Sequence, residues 1–226
     1  MSDLVSAALT IAAKDIRIEW RTRTAVISAL VFAILVLSIL YVARDATAVP
    51  ALALAPSALW VTFSFAAMIG LNRAFLTENE LGAMDAIRLS GVSPSALFLG
   101  KFGSNLAFVG AVEGFGIPIF VLFYDVPIGA HLPALLLVTV MTTVAFVSVG
   151  TLLSAMVVQT RFAEVMLPVL LLPFLIPPVV AAVHLTAVLL GGRPLSAGLG
   201  WLKLLAAFDV AFVTLSTLLF EATLSE

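Results

Sequence analysis

Long apolar runs alternate with short polar connections along nearly the whole chain. Six of them reach the roughly 20 residues that a bilayer-crossing helix needs. They are 24–42, 50–71, 97–123, 132–158, 165–190 and 199–220. Inside lipid a backbone must satisfy its own hydrogen bonds, so spans this apolar are expected to be helical. With no soluble-type repeat and no domain boundary, 1–226 reads as a single transmembrane domain, an all-α bundle of six helices.

Three segments depart from this plain pattern. Residues 4–20 are amphipathic rather than uniformly apolar. Leu4, Ala8, Ile11 and Ile18 fall on one helical face, Lys14, Arg17 and Arg21 lie off it, and Trp20 stands near the end. This predicts an amphipathic helix lying on the cytoplasmic membrane surface, with an ordinary solvated N-terminal helix as the alternative. The fifth run, "MLPVLLLPFLIPPVV", carries Pro168, Pro173, Pro177 and Pro178. Each removes a backbone donor, so a kinked or locally unwound helix is expected there.

The third segment, "ENELGAMDAIRLSGVSP" (78–94), is a polar connection with helical grammar. Thr77 and Glu80 stand three apart, as in a capping box. Leu81, Met84 and Ile87 make one apolar stripe, and Asp85 can pair weakly with Arg88. Gly91 supplies a stop. Ser93-Pro94 reads as an N-cap and first position of the next helix. A short bounded helix over 78–90 follows. It suits either a groove on a partner with basic residues or the membrane surface itself.

Composition narrows the class. The chain is 62% hydrophobic and 11% charged with mean hydropathy +1.21, against about 25% charged for a soluble domain. Most of it therefore cannot face water. A net charge of −2 argues against nucleic acid as partner. The absence of cysteine excludes disulfides and thiolate metal sites. The N-terminus is charged after its apolar part, unlike a cleavable signal peptide. Eight of the eleven Lys and Arg residues fall in 1–23, 72–101 and 159–164. Loops rich in basic residues stay cytoplasmic, so both termini are expected there, with short outer loops.

Residues 72–101, "NRAFLTENELGAMDAIRLSGVSPSALFLGK", resemble the signature segment of the CcmB family, the permease subunit of the ABC-type haem exporter of cytochrome c maturation. The matching positions are Arg73, Glu78, Glu80, Gly82, Met84-Asp85, Ile87, Leu89, Pro94 and Gly100-Lys101. The last span, with Phe208-Asp209 and a closing Phe220-Glu221, is similar to the family's C-terminus. The chain departs from the family at Arg88-Leu89-Ser90-Gly91, which is usually more apolar. The resemblance implies an ABC-2-type permease bundle. It implies that Glu78, Glu80, Leu81, Gly82, Met84, Asp85, Ile87 and Arg88 belong to a coupling helix docking on an ATPase. The implied partners are a CcmA-like ATPase, a CcmC-like haem-handling membrane subunit, a small single-span CcmD-like subunit and, indirectly, a periplasmic haem chaperone. The implied location is a bacterial-type inner membrane. Haem is then a cargo rather than a tightly bound cofactor, and ATP is bound by the partner subunit.

The chemistry the sequence lacks fits that division of labour. A phosphate-cradling loop needs G-x-x-x-x-G-K-[ST], and Gly100-Lys101 is followed by Phe102. Lys101 reads instead as an interfacial anchor. No catalytic triad or metal-ligand spacing is evident. Glu113 and Asp209 sit mid-span, where an ionised group costs about 2.5–3.5 kcal/mol. They read either as an interior polar site or as hydrogen-bonding staples. Gly110, Gly114 and Gly116 are expected to let another helix approach beside Glu113. His184, near the outer end of the fifth span, reads as an axial haem ligand or as a polar helix-end residue. His131 reads as a loop histidine. Tyr41, Tyr124 and Trp201 read as interfacial belt residues. A generic ABC-2-type permease for a lipid, glycan or drug, and a scaffold with no translocation path, share most of these features.

Overall fold

The computed structural model describes residues 2–80, 93–127, 129–157, 160 and 162–224, and the side chains of 4–72, 93–127, 129, 131–157, 160, 162 and 165–220. Among the described residues there are seven α-helices and no strand. Helix α1 (Ser2–Thr22) precedes six long helices: α2 (Thr24–Ala43), α3 (Ala51–Glu80), α4 (Pro94–Tyr124), α5 (Leu132–Val157), α6 (Ala163–Leu190) and α7 (Leu199–Leu224). Short 3₁₀ turns, Gly129–His131 and Leu195–Gly198, lead into α5 and α7. All six long helices contain a stretch apolar and long enough to cross a membrane, within a few residues of the six runs read from the sequence.

Helix α1 is not an independent appendage. It lies along α4, and its junction with α2 is a built corner. Arg23 takes the left-handed conformation (φ 56°) and donates its N–H to the Glu19 carbonyl at 2.6 Å. The Glu19 carboxylate then accepts from the backbone N–H groups of Ala25 and Val26 at 3.1 and 3.0 Å. Those are orphan donors at the start of α2, so a residue of the preceding helix caps the first span. Further back along the same face of α1, Gly100 lets it approach α4 closely. A Cβ there would lie 2.7 Å from Ile11 Cβ and 2.9 Å from the Ala8 carbonyl oxygen.

The centre of the bundle is α5. Two of its buried hydroxyls and one of its carbonyls meet three neighbours. Ser154 donates to the Leu71 carbonyl on α3, Asn105 of α4 donates to Thr151, and Ser216 of α7 donates to the Ser148 carbonyl, at 2.9, 2.9 and 3.1 Å. Two further bonds tie the periphery. Trp60 Nε1 of α3 donates to Thr186 of α6 at 2.8 Å, and the Tyr124 hydroxyl of α4 donates to the Leu37 carbonyl of α2 at 3.2 Å. Helix α2 presents Ala25, Ala29 and Ala33 inward, a small-residue stripe that brings its backbone close to its neighbours. Ala29 and Ala33 pack with Ala66 and Val112.

Several expectations change here. Helix α3 continues without a break to Glu80, so Thr77 lies inside a helix and is not its N-cap. The cause is local: nothing in 72–80 is a helix breaker, so the second span simply extends beyond the apolar slab. The expected Ser93-Pro94 start of α4 is present, with Ser93 accepting from Ala96 N–H at 3.3 Å. Helix α6 runs unbroken through all four prolines, so it is not unwound. The rings of Pro173 and Pro177 sit on exposed positions of the helix. Tyr124 is buried rather than part of a belt, because its hydroxyl finds the Leu37 carbonyl inside. Of the three glycines beside Glu113, only Gly116 is a close approach, against Phe63, while Gly110 and Gly114 meet nothing within 4 Å.

Lys101 also differs from expectation. It does not reach for the membrane surface; it is 3% exposed and pairs with Asp15 Oδ2 at 2.9 Å. Lys14 meets the other Asp15 oxygen at 3.2 Å. Removing one partner of a buried pair leaves an uncompensated charge and costs about 3–5 kcal/mol. With Lys14 as a second partner, Lys101→Met should fall at the lower end of that range in a thermal-unfolding measurement. The double variant Lys101→Met/Asp15→Leu should be the more stable of the two, because the Asp15 carboxylate is then not left without its lysine.

Candidate functional site

Two places in the fold concentrate chemistry. The first is the end of the bundle where α3 leaves, α4 begins and α1 packs. Glu78 and Glu80 stand on the last turn of α3. Leu81, Gly82, Met84, Asp85, Ile87 and Arg88 lie outside the described residues, as does the Asp85–Arg88 pairing. What is described is the frame around them. Ser93 and Pro94 restart the chain as α4, and two turns later Gly100 and Lys101 lock α1 against it. Ser104, one turn on, lies 3.5 Å from the same Asp15 carboxylate. The chain therefore resumes, at Ser93-Pro94, as a helix to which α1 is bolted within two turns of its start.

The residues that make this junction, Asp15 and Glu19, were missed by periodicity. A signal was present. Both acids fall on the same helical face as Leu4, Ala8 and Ile11, where carboxylates have no place unless something receives them. The expected apolar face was also misassigned in part. Ala8 is buried and Ile11 packs against α4, while Ile18 is 49% exposed.

The second place is the interior. Glu113 of α4 is buried, and the Thr143 hydroxyl of α5 lies 2.5 Å from its Oε2. Its other oxygen, Oε1, has no hydrogen-bond partner among the described residues. Asp209 is half-buried on α7, and its Oδ1 is likewise buried without a partner among the described residues. Asp209 shares the face of α7 that carries Ser216 and Phe220, seven and eleven residues on. Those two meet α5 and α4. No hydrogen bond joins Glu113 to Asp209. Each is a separate acidic group inside the apolar slab, and each has one oxygen to offer.

The histidines are not brought to these acids. His184 is exposed on α6, its ring stacked on Trp201 of α7 at 4.3 Å and 7°. His131 closes the 3₁₀ turn before α5 and is half-buried. Among the described residues no three His, Asp or Glu side chains converge as a metal-binding group would.

The Glu113–Thr143 contact gives a direct test of packing against chemistry. Glu113→Gln keeps an oxygen that can accept from Thr143, so unfolding should shift by less than about 1 kcal/mol, in line with interhelical bonds in membranes. Glu113→Ala should lose about 2 kcal/mol more, through the cavity it leaves. Denaturant unfolding of both variants in the same detergent checks this.

Comparison with known proteins agrees with this architecture. The family model described as CcmB protein matches residues 6–226. Heme exporter protein B of Pseudomonas aeruginosa is 27% identical over 207 residues, covering 92% of this chain and 91% of that protein. With nearly its whole length matched by that model, the chain belongs to the CcmB family.

Proposed function

We propose that this chain is the membrane permease subunit of a haem exporter that serves c-type cytochrome maturation. The observation that carries the reading is the family match over residues 6–226. A relative named heme exporter protein B, aligned over almost the full length of both chains, supports it. The match favours this reading over a generic lipid, glycan or drug permease and over a scaffold.

In this reading the chain supplies the membrane path and another subunit supplies ATP hydrolysis, since the sequence holds no phosphate-cradling loop. The connection between α3 and α4 is the docking element for that ATPase. Glu78, Glu80 and Asp85 offer carboxylates to basic residues of its groove, and Leu81, Met84 and Ile87 offer the apolar stripe. Motion imposed there passes to α4 directly and to α1 through Asp15–Lys101. In this reading both termini are cytoplasmic, which the excess of Lys and Arg on the α1 side supports, and the membrane is the bacterial-type inner membrane that the family resemblance implies. A CcmC-like haem-handling subunit and a small CcmD-like subunit complete the membrane assembly, and a periplasmic chaperone receives the haem. The oxygens of Glu113 and Asp209 that have no partner among the described residues, with the buried Thr62 hydroxyl, are polar contacts the interior offers to a moving cargo or helix. His184, exposed on its Trp201 platform, is the side chain available to haem iron at the far end.

The decisive measurement is covalent-haem staining of membrane proteins after denaturing electrophoresis. Loss of this gene should remove the c-type bands, and the intact gene should restore them. Unchanged bands would overturn the maturation role. The docking reading has its own test. Glu80→Lys with Asp85→Lys should abolish co-purification of the ATPase while the permease still accumulates in the membrane. Normal co-purification would count against docking at 78–90.

A further inference from the structure

Helix α1 has three faces, and the fold buries only one of them. Leu4, Ala8, Ile11, Asp15 and Glu19 turn toward the bundle. Beside that face runs a second apolar stripe, Val5, Leu9, Ile16 and Trp20, at helical spacing. Its members are 52%, 64%, 41% and 75% exposed. The third face carries Ser6, Thr10, Arg17 and Arg21, all exposed. This stripe is not the one read from the sequence, which turned out to be mostly the face packed on α4.

Helix α1 cannot roll to bury the second stripe. Rolling would separate Asp15 from Lys101 and pull the Glu19 carboxylate off the start of α2. It would also slide Ala8 and Ile11 away from Gly100. Among the described residues nothing covers the stripe. Continuity indicates what receives it. A single residue, Arg23, separates α1 from α2, whose outward row Ile27, Val31, Leu35 and Ile39 is 51–61% exposed along a membrane-crossing length. Helix α1 thus starts from the edge of the same apolar slab. A helix there with an apolar face flanked by cations has the form of one half-immersed at the lipid–water boundary. Trp20, with the Arg23 guanidinium 5.6 Å from its ring, is an aromatic of the kind that sits at headgroup level.

We propose that the Val5–Leu9–Ile16–Trp20 stripe is immersed in the leaflet beside the α3–α4 connection, and that Arg17 and Arg21 bind the phosphate headgroups of anionic lipids there. One short helix then presents a protein face, a lipid face and a headgroup face in turn. Arginine suits the last role because its planar fork meets phosphate oxygens in pairs and its stem lies along apolar surface. The proposal concerns the helix and its bilayer and stands whatever the cargo is.

The chain has no cysteine, so single-cysteine variants carry one spin label each. Leu9→Cys, Ile16→Cys and Arg17→Cys would be labelled in full-length protein in nanodiscs of phosphatidylcholine with phosphatidylglycerol. Val31→Cys serves as lipid reference and Ala46→Cys as water reference. Labels at 9 and 16 should collide with oxygen as the label at 31 does, and the label at 17 with a water-soluble nickel chelate as the label at 46 does. Labels at 9 and 16 that meet the chelate freely, or that are shielded from both reagents, would overturn the lipid face. For the headgroups, the preference for spin-labelled phosphatidylglycerol over phosphatidylcholine is measured. It should fall about fivefold for each of Arg17→Gln and Arg21→Gln and persist in Arg17→Lys. An unchanged preference in the double Gln variant would overturn the headgroup site.

Discussion

Inside a bilayer there is no water to push apolar helices together, because lipid tails receive a leucine as well as another leucine does. Helices there are joined by close contact between small residues and by hydrogen bonds. In this protein every described helix is joined to another by at least one polar contact. Asn105 and Glu113 link α4 to α5, Ser154 links α5 to α3, and Ser216 links α7 to α5. Trp60 links α3 to α6 and Tyr124 links α4 to α2. Asp15 and Glu19 bring α1 into the same network. Such bonds contribute only about 0.6 kcal/mol each on average. Their number and placement decide which faces meet, more than any one of them decides stability.

The network is uneven in a way that bears on function. It is dense around α5 and at the α1–α4 junction, next to the connection proposed to receive the ATPase. Under the proposed docking, a push there would meet α4 with α1 tied to it by Asp15–Lys101 and the Gly100 contact. The carboxyls that remain partly unsatisfied, Glu113 and Asp209, lie away from that junction, within the slab.

Helix α1 shows why burial and amphipathicity must be read separately. Its first apolar stripe is consumed by α4, and its second remains outside. A hydrophobic pattern reports that a face avoids water; it does not report whether protein or lipid receives it. Two acids on the packed face mark the difference, since lipid could not accept them, whereas Lys101 receives Asp15 and the free N–H groups at the start of α2 receive Glu19.

The sequence alone determined the class of protein, the six spans and the start of α4 at Ser93-Pro94, because transfer of apolar residues and the chemistry of proline are local. It also carried the family, through the 72–101 segment and the last span. It could not determine which face of α1 meets protein, that Lys101 turns inward, that Tyr124 is buried, or that only Gly116 among three glycines is a close approach. Each of those depends on what another helix, distant in the chain, places opposite. The same limit explains Thr77. The motif for a helix start was present, but a start also needs the preceding helix to stop, and nothing between Asn72 and Glu80 stops it. Where a residue's role is set by its own backbone or its own transfer free energy, the sequence suffices; where it is set by a partner, only the tertiary structure decides.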